Sequence, residues 1–336
     1  MPRRLTALVT TAVLLVAFAV PAQAAGPRSD HERILAFWTP ERMATAIPRD
    51  FVRGPGGDFQ PRPKPDNPGG GNGGGNGGGG GSGGNVTGAS WNSGGLIKEA
   101  SGKVFFTMAG TRYVCSGAVV TDSRATYSLV LTAGHCTYDE TNRAFATNWM
   151  FYPDYDESPT SSCANTAYGC WTATALVVHQ GYASAGGFNS QATLHDWGFA
   201  VVPAGGKSGT QLDAAVGSFP IAFSSVGDGT RAYAFGYPAA QKYKGNDLVY
   251  CAGPTFSDPY NSQLTYGLTC DMTGGSSGGP WLTSFSEGSG TGTLRSVNSY
   301  GYSGVKAMHG PKFNTKTGAT YSTANSATTN QVVSGG

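Results

Sequence analysis

From about residue 100 onward the chain alternates short apolar runs with polar, glycine-rich breaks. The runs are "KVFFTM", "RYVCSGAVV", "YSLVLTA", "TALVVH", "WGFAVV", "RAYAFGY", "DLVYC", "LTYGLTC" and "LRSVNSYGY". Val, Tyr, Phe and Thr dominate them, and Gly, Pro, Asn, Asp and Ser separate them, which predicts strands joined by turns. Few windows repeat with helical period, and nothing alternates strand with helix. The pattern predicts an all-β sandwich or barrel.

Two stretches depart from it. "RSDHERILAFWTPERMATAIPRDF", residues 28–51, is charged and has helical character between Asp30 and Ala46. "PRPKPDNPGGGNGGGNGGGGGSGGN", residues 61–85, carries no side chains that could build a core. Its proline-rich part should be stiff, and its glycine-rich part a flexible coil. The N-terminus has the layout of an export signal. Arg3 and Arg4 precede an apolar run from Leu5 to Val20, and Ala22-Gln23-Ala24 is a cleavage site. The run is shorter than the roughly 20 residues that span a bilayer. The chain therefore divides into a signal peptide (1–24), a leader or propeptide (25–60), a linker (61–88) and a body (89–336).

Composition narrows the class. The net charge is +2 and only 12% of residues are charged, without a basic cluster in the body. A nucleic-acid partner is not expected. Export leads to an oxidising compartment, where the six cysteines, Cys115, Cys136, Cys163, Cys170, Cys251 and Cys270, suggest disulfides. No C-x-x-C or H-E-x-x-H spacing occurs, so neither a metal nor a cofactor is expected. The expected product is a secreted monomer, free of the membrane after signal cleavage.

"DMTGGSSGGPW", residues 271–281, carries the candidate chemistry. In one register it is a nucleophile elbow with Ser276 at its tip, which would make an extracellular esterase. An elbow needs a following helix and a downstream acid and histidine. Here Pro280 and the strand-like "WLTSF" follow, and only Glu287 and His309 remain downstream. In the other register, G-x-S-G-G-P, Ser277 is the reactive residue. Upstream, "VLTAGHC" puts His135 at the end of an apolar strand, and "LHDWGFAVV" puts Asp196 at the start of another. A carboxylate at such a place is costly unless hydrogen-bonded.

With "CSGAVV" (115–120), "LTAGHC" (131–136), "DWGFAVV" (196–202), "GSSGGP" (275–280) and "SYG" (299–301), the chain resembles the chymotrypsin-like (trypsin-fold) serine peptidases, exported bacterial members among them. The resemblance implies two six-stranded antiparallel β-barrels with the active site between them. It implies the pairs Cys115–Cys136, Cys163–Cys170 and Cys251–Cys270. It implies polypeptide substrates, a triad of Ser277, His135 and Asp196, an oxyanion hole from the N–H groups of Gly275 and Ser277, and substrate pairing along Ser299, Tyr300 and Gly301. A protease-like binding protein without catalysis is the alternative from another class. In trypsin an aspartate precedes the nucleophile and pairs with a new N-terminal amine. Ser276 stands there, so that switch is expected to be absent. Asp271 invites two readings: the base of a pocket for Arg or Lys, or a structural acceptor in the turn after Cys270.

Overall fold

The first five predicted runs, joined by one further strand, form one curled sheet. In a computed structural model that describes Met1 and residues 29–54, 57–61, 84–155, 162–240 and 242–336, six strands follow one another antiparallel. They are Thr147–Pro153, Ser101–Met108, Thr111–Val120, Tyr127–Thr132, Gly198–Pro203 and Ala175–His179. Val104, Phe105 and Phe106 are all buried. A curled sheet covered on its outer side buries both faces, so its strands read as continuous apolar runs.

The second half is built from Arg231–Gly236, Val249–Pro254, Thr265–Thr269, Pro280–Ser286, Thr291–Val297 and Ala307–Pro311. A smaller core fills it, around Tyr266, Leu268, Trp281 and the Cys251–Cys270 disulfide. Two antiparallel barrels are thus the architecture. Cys115–Cys136 and Cys163–Cys170 are the other disulfides.

Several elements differ from the sequence expectation. "TNWMFYP" is a strand, but Trp149 to Tyr152 are buried in succession and show no period of two. The strand Val86–Ser90 begins inside the segment assigned to the linker and pairs with Val249–Ala252. The helix Thr315–Ala324 buries Thr317 and Thr320, so its inward face reads as polar. The run "LRSVNSYGY" breaks at Asn298 and Ser299 between two strands. The signal peptide and most of the linker lie outside the described residues. No helix among the described residues is long and apolar enough to cross a membrane.

The leader is folded against the body. Ser29 and Glu32 form a capping box that starts the helix Asp30–Phe37, and Thr39 caps the helix Pro40–Ala44. Trp38 is 3% exposed; its ring meets Phe105 at 5.5 Å and its Nε1 donates to the Asn148 carbonyl at 2.6 Å. Ile47–Pro48 then pairs in parallel with Tyr113–Val114, and Phe51–Arg53 in parallel with Tyr300–Tyr302. Phe59–Pro61 folds back antiparallel on Phe51–Arg53.

His309 lies behind the Tyr300–Tyr302 strand, 1% exposed, its ring stacked on Tyr300 at 5.2 Å. Burial drives its pKa down to about 4, against the opposing pull of Asp258. The folded state holds it neutral, while the unfolded chain takes up a proton near 6.5. Its contribution to stability is therefore complete above pH 6.5 and is lost as the pH falls through about 4, a change of roughly 3 kcal/mol. Denaturant midpoints across that window should fall less steeply for His309→Phe than for the parent. An unchanged slope would show that another group carries the acid sensitivity.

Candidate active site

His135 and Asp196 meet where two strand ends of the first barrel converge. The strand Tyr127–Thr132 runs into a tight turn at Gly134–Cys136, which Cys115–Cys136 ties back to the neighbouring strand. Asp196 precedes the strand Gly198–Pro203, which pairs with Tyr127–Thr132. Both side chains are fully buried. Asp196 Oδ2 accepts from His135 Nδ1 at 2.8 Å and from Ser299 Oγ at 2.5 Å, and Oδ1 accepts from the His135 backbone N–H at 2.8 Å. Three donors compensate a carboxylate that would otherwise be costly to bury. They also fix which ring nitrogen of His135 faces the acid and leave Nε2 without a hydrogen-bond partner among the described residues.

Ser277 is delivered by the second barrel. Its carbonyl accepts from the Ser116 N–H at 2.7 Å. Gly278 then turns with φ +81°, and a Cβ there would overlap Ser116 O and Thr132 Oγ1. The glycine is what lets the serine loop press onto the first barrel. Asn298 pins the loop from behind: its Nδ2 donates to Phe235 O at 2.7 Å and to Ser276 O at 3.0 Å, and its Oδ1 accepts from Trp281 Nε1 at 2.7 Å.

Gly275 has φ +97°, and a Cβ there would lie 2.8 Å from Tyr237 O. Its carbonyl accepts from Ser116 Oγ at 2.8 Å. The backbone bonds of the turn run from Ala239 N to Gly274 O, Ser276 N to Thr273 O, Gly278 N to Asn298 O and Gly279 N to Ser276 O. The N–H groups of Gly275 and Ser277 lie outside that set. Ser276 points inward, fully buried, and donates its hydroxyl to Thr273 O at 2.8 Å. A neutral local bond thus occupies the position where trypsin carries a charged pair.

The remaining residues singled out in the sequence separate into two groups. Ser299 touches Asp196. Tyr300 Oη donates to Asp258 Oδ2 at 2.6 Å, and Gly301 pairs with Val52 of the leader. Asp271 accepts from Lys242 Nζ at 2.7 Å and Tyr243 Oη at 2.5 Å, and its N–H donates to Thr87 O at 2.9 Å. These contacts engage both carboxylate oxygens in holding the turn after Cys270, and they favour the structural reading. Asp271→Ser should then lower stability by about 1 kcal/mol and leave residue preference in a peptide library unchanged. A lost preference for Arg or Lys would restore the pocket reading. Cys115, His135 and Cys136 place potential metal-binding atoms within 4.8 Å, but both sulfurs are bonded to each other.

The leader supplies contacts that no sequence motif announced. Ser277 Oγ donates to Asp50 Oδ1 at 3.0 Å, so its hydrogen bond goes to the leader and not to His135. Phe51 stands edge-on to the His135 ring at 5.5 Å and stacks on Phe188 at 4.0 Å. Arg49 is 9% exposed, and its Nη1 donates to the His135 carbonyl at 2.6 Å. The segment "IPRDF", residues 47–51, follows the stretch read as helical and carries no motif of its own.

The chain is similar to solved protease structures over about 70% of its length. It is 38% identical to the protease Anisep from Arthrobacter nicotinovorans, covering 72% of this chain and 100% of that one, with a TM-score of 0.60. It is 36% identical to a thermostable serine protease, AL20, from an extremophilic microorganism, covering 69% and 99%, with a TM-score of 0.59. A Glu endopeptidase shares the fold at 20% identity and a TM-score of 0.53, covering 72% and 97%. No protein-family model and no curated protein matches the sequence.

Proposed function

Because the chain belongs to the chymotrypsin-like serine protease family, we propose that it is a secreted endopeptidase using Ser277, His135 and Asp196, made as a precursor whose leader closes the cleft. The observation that carries the reading is the buried His135–Asp196 pair at 2.8 Å, which uses Nδ1 and leaves the second ring nitrogen, Nε2, without a hydrogen-bond partner among the described residues.

The chemistry follows from these groups. Once Asp50 leaves, Ser277 Oγ attacks a peptide carbonyl carbon and its proton passes to His135 Nε2. Asp196 keeps the imidazole in the required tautomer and stabilises the imidazolium. The negative charge arising on the carbonyl oxygen is met by the N–H groups of Gly275 and Ser277. Collapse breaks the C–N bond, and the leaving amine takes the proton from Nε2. The acyl group stays on Ser277 until water, deprotonated by His135, repeats the attack and frees the serine. Each of these steps is carried by the chain's own residues and water. Fluorophosphonate treatment of the processed enzyme, followed by peptide mapping, tests the assignment. The probe is expected on Ser277 together with loss of peptide hydrolysis. A folded protein that takes up no probe would support the non-catalytic binding reading instead.

A further inference from the structure

The leader arginine beside Asp50 is buried against the first barrel. Arg49 Nη2 lies 3.1 Å from Glu140 Oε2 and 4.0 Å from Asp139 Oδ1, while Nη1 donates to the His135 carbonyl. Glu140 is 2% exposed, and its Oε2 also accepts from Tyr182 Oη at 2.7 Å. We propose that Glu140, Asp139 and the His135 carbonyl form a guanidinium subsite of the open enzyme, which takes an arginine side chain of the peptide substrate once the leader has left. The inference rests on the endopeptidase reading above and adds to it a substrate class.

Three features carry it. The first is charge. With Arg49 gone, the Glu140 carboxylate keeps its hydrogen bond from Tyr182 Oη but loses its cation, and leaving an acid there without one is unfavourable. A substrate cation relieves that state. The second is shape. The acceptors are split between a carbonyl at one guanidinium nitrogen and carboxylates at the other, a spread that a planar fork spans and a point ammonium does not. The third is rigidity and position. The His135 carbonyl belongs to the turn closed by Cys115–Cys136. Asp139 is fixed by the N–H groups of Thr141 and Asn142, at 3.1 and 3.0 Å, and by Asn142 Nδ2 at 2.8 Å. Arg49 directly precedes the residue on Ser277, and the chain after Asp50 covers the Tyr300–Tyr302 strand. The subsite therefore flanks the cleaved bond on the side away from that strand.

The test uses enzyme processed from the full chain and pairs of fluorogenic peptides with arginine or citrulline at each position flanking the cleaved bond. Citrulline keeps the shape and loses the charge. At one position on the stated side, arginine should lower KM by about 10- to 100-fold relative to citrulline. Glu140→Gln should bring that pair to within a few-fold of each other. Equal KM values at every position, in enzyme that labels normally with fluorophosphonate, would overturn the subsite and leave Arg49 as a latch of the leader alone. Absence of labelling would instead sink the endopeptidase reading, and the subsite with it. The comparison of peptides on the parent enzyme needs no variant, so the subsite stays testable even where Glu140→Gln protein fails to fold.

Discussion

Ser277→Ala should lower the turnover of processed enzyme by about 10⁵- to 10⁶-fold, while Ser276→Ala should stay within a few-fold of the parent. The two serines are adjacent, and the sequence admits a catalytic register for each. The structure separates them by what each hydroxyl faces. Ser276 Oγ is spent on Thr273 O at 2.8 Å, and the chain at Gly236 passes so close that a Cβ there would lie 2.8 Å from Ser276 Cβ. A side chain so enclosed cannot meet a substrate carbonyl. Its loss removes one buried hydrogen bond, about 1 kcal/mol of stability. Ser277 Oγ gives its hydrogen bond to a residue of another segment, Asp50. Removing it leaves only binding and the two N–H donors, which account for a small part of the rate. Steady-state hydrolysis and fluorophosphonate mapping decide the matter. Probe on Ser276, or a Ser276→Ala protein that folds but is inactive, would reverse the assignment.

The residues of the candidate site were more legible in the sequence than the leader contacts that cover them. His135, Asp196 and Ser277 sit at strand edges in frames with strong local signals: a strand ending in Gly-His-Cys, an acid before an apolar run, and glycines around a serine. Those signals are local because backbone geometry demands them, as Gly278 pressed against Ser116 and Thr132 illustrates. Strand positions were legible for the same reason wherever an apolar run met a turn. "TNWMFYP" was hidden because both of its faces are covered, and the helix Thr315–Ala324 because threonines fill its inward face. Asn298 could be read only as a residue before "SYG". Its work of joining Phe235, Ser276 and Trp281 is tertiary throughout. Asp50 and Arg49 belong to the same class. Their partners, Ser277 and Glu140, lie 227 and 91 residues away, and no pattern within the leader announces them.

Full-length protein should react with fluorophosphonate at least about 10³-fold more slowly than enzyme lacking residues 25–61, an occlusion of roughly 4 kcal/mol. In the proposed precursor, three contacts would act together to cover Ser277 and His135. Asp50 takes the hydrogen bond of Ser277, and a carboxylate is no electrophile with a leaving group, so the chain at the nucleophile cannot be cut there by Ser277. Phe51 packs against both the His135 and Phe188 rings, which themselves meet at 5.6 Å, and this buries an apolar side chain worth about 1.5–3 kcal/mol. Phe51–Arg53 hydrogen-bonds along Tyr300–Tyr302, the edge proposed for substrate, as an added strand. A covalent link between leader and body would hold all three at high local concentration, and cutting it should let the leader dissociate. Residues from 84 onward must be retained, because Val86–Ser90 is a strand of the second barrel. Asp50→Ala in the full chain should raise the labelling rate by about 10- to 100-fold, the range of one charge-assisted hydrogen bond, without reaching the rate of the shortened enzyme. Its thermal midpoint distinguishes release of the cleft from general unfolding. A full-length chain that labels as fast as the shortened one would show that the leader, though docked over Ser277, does not restrain it.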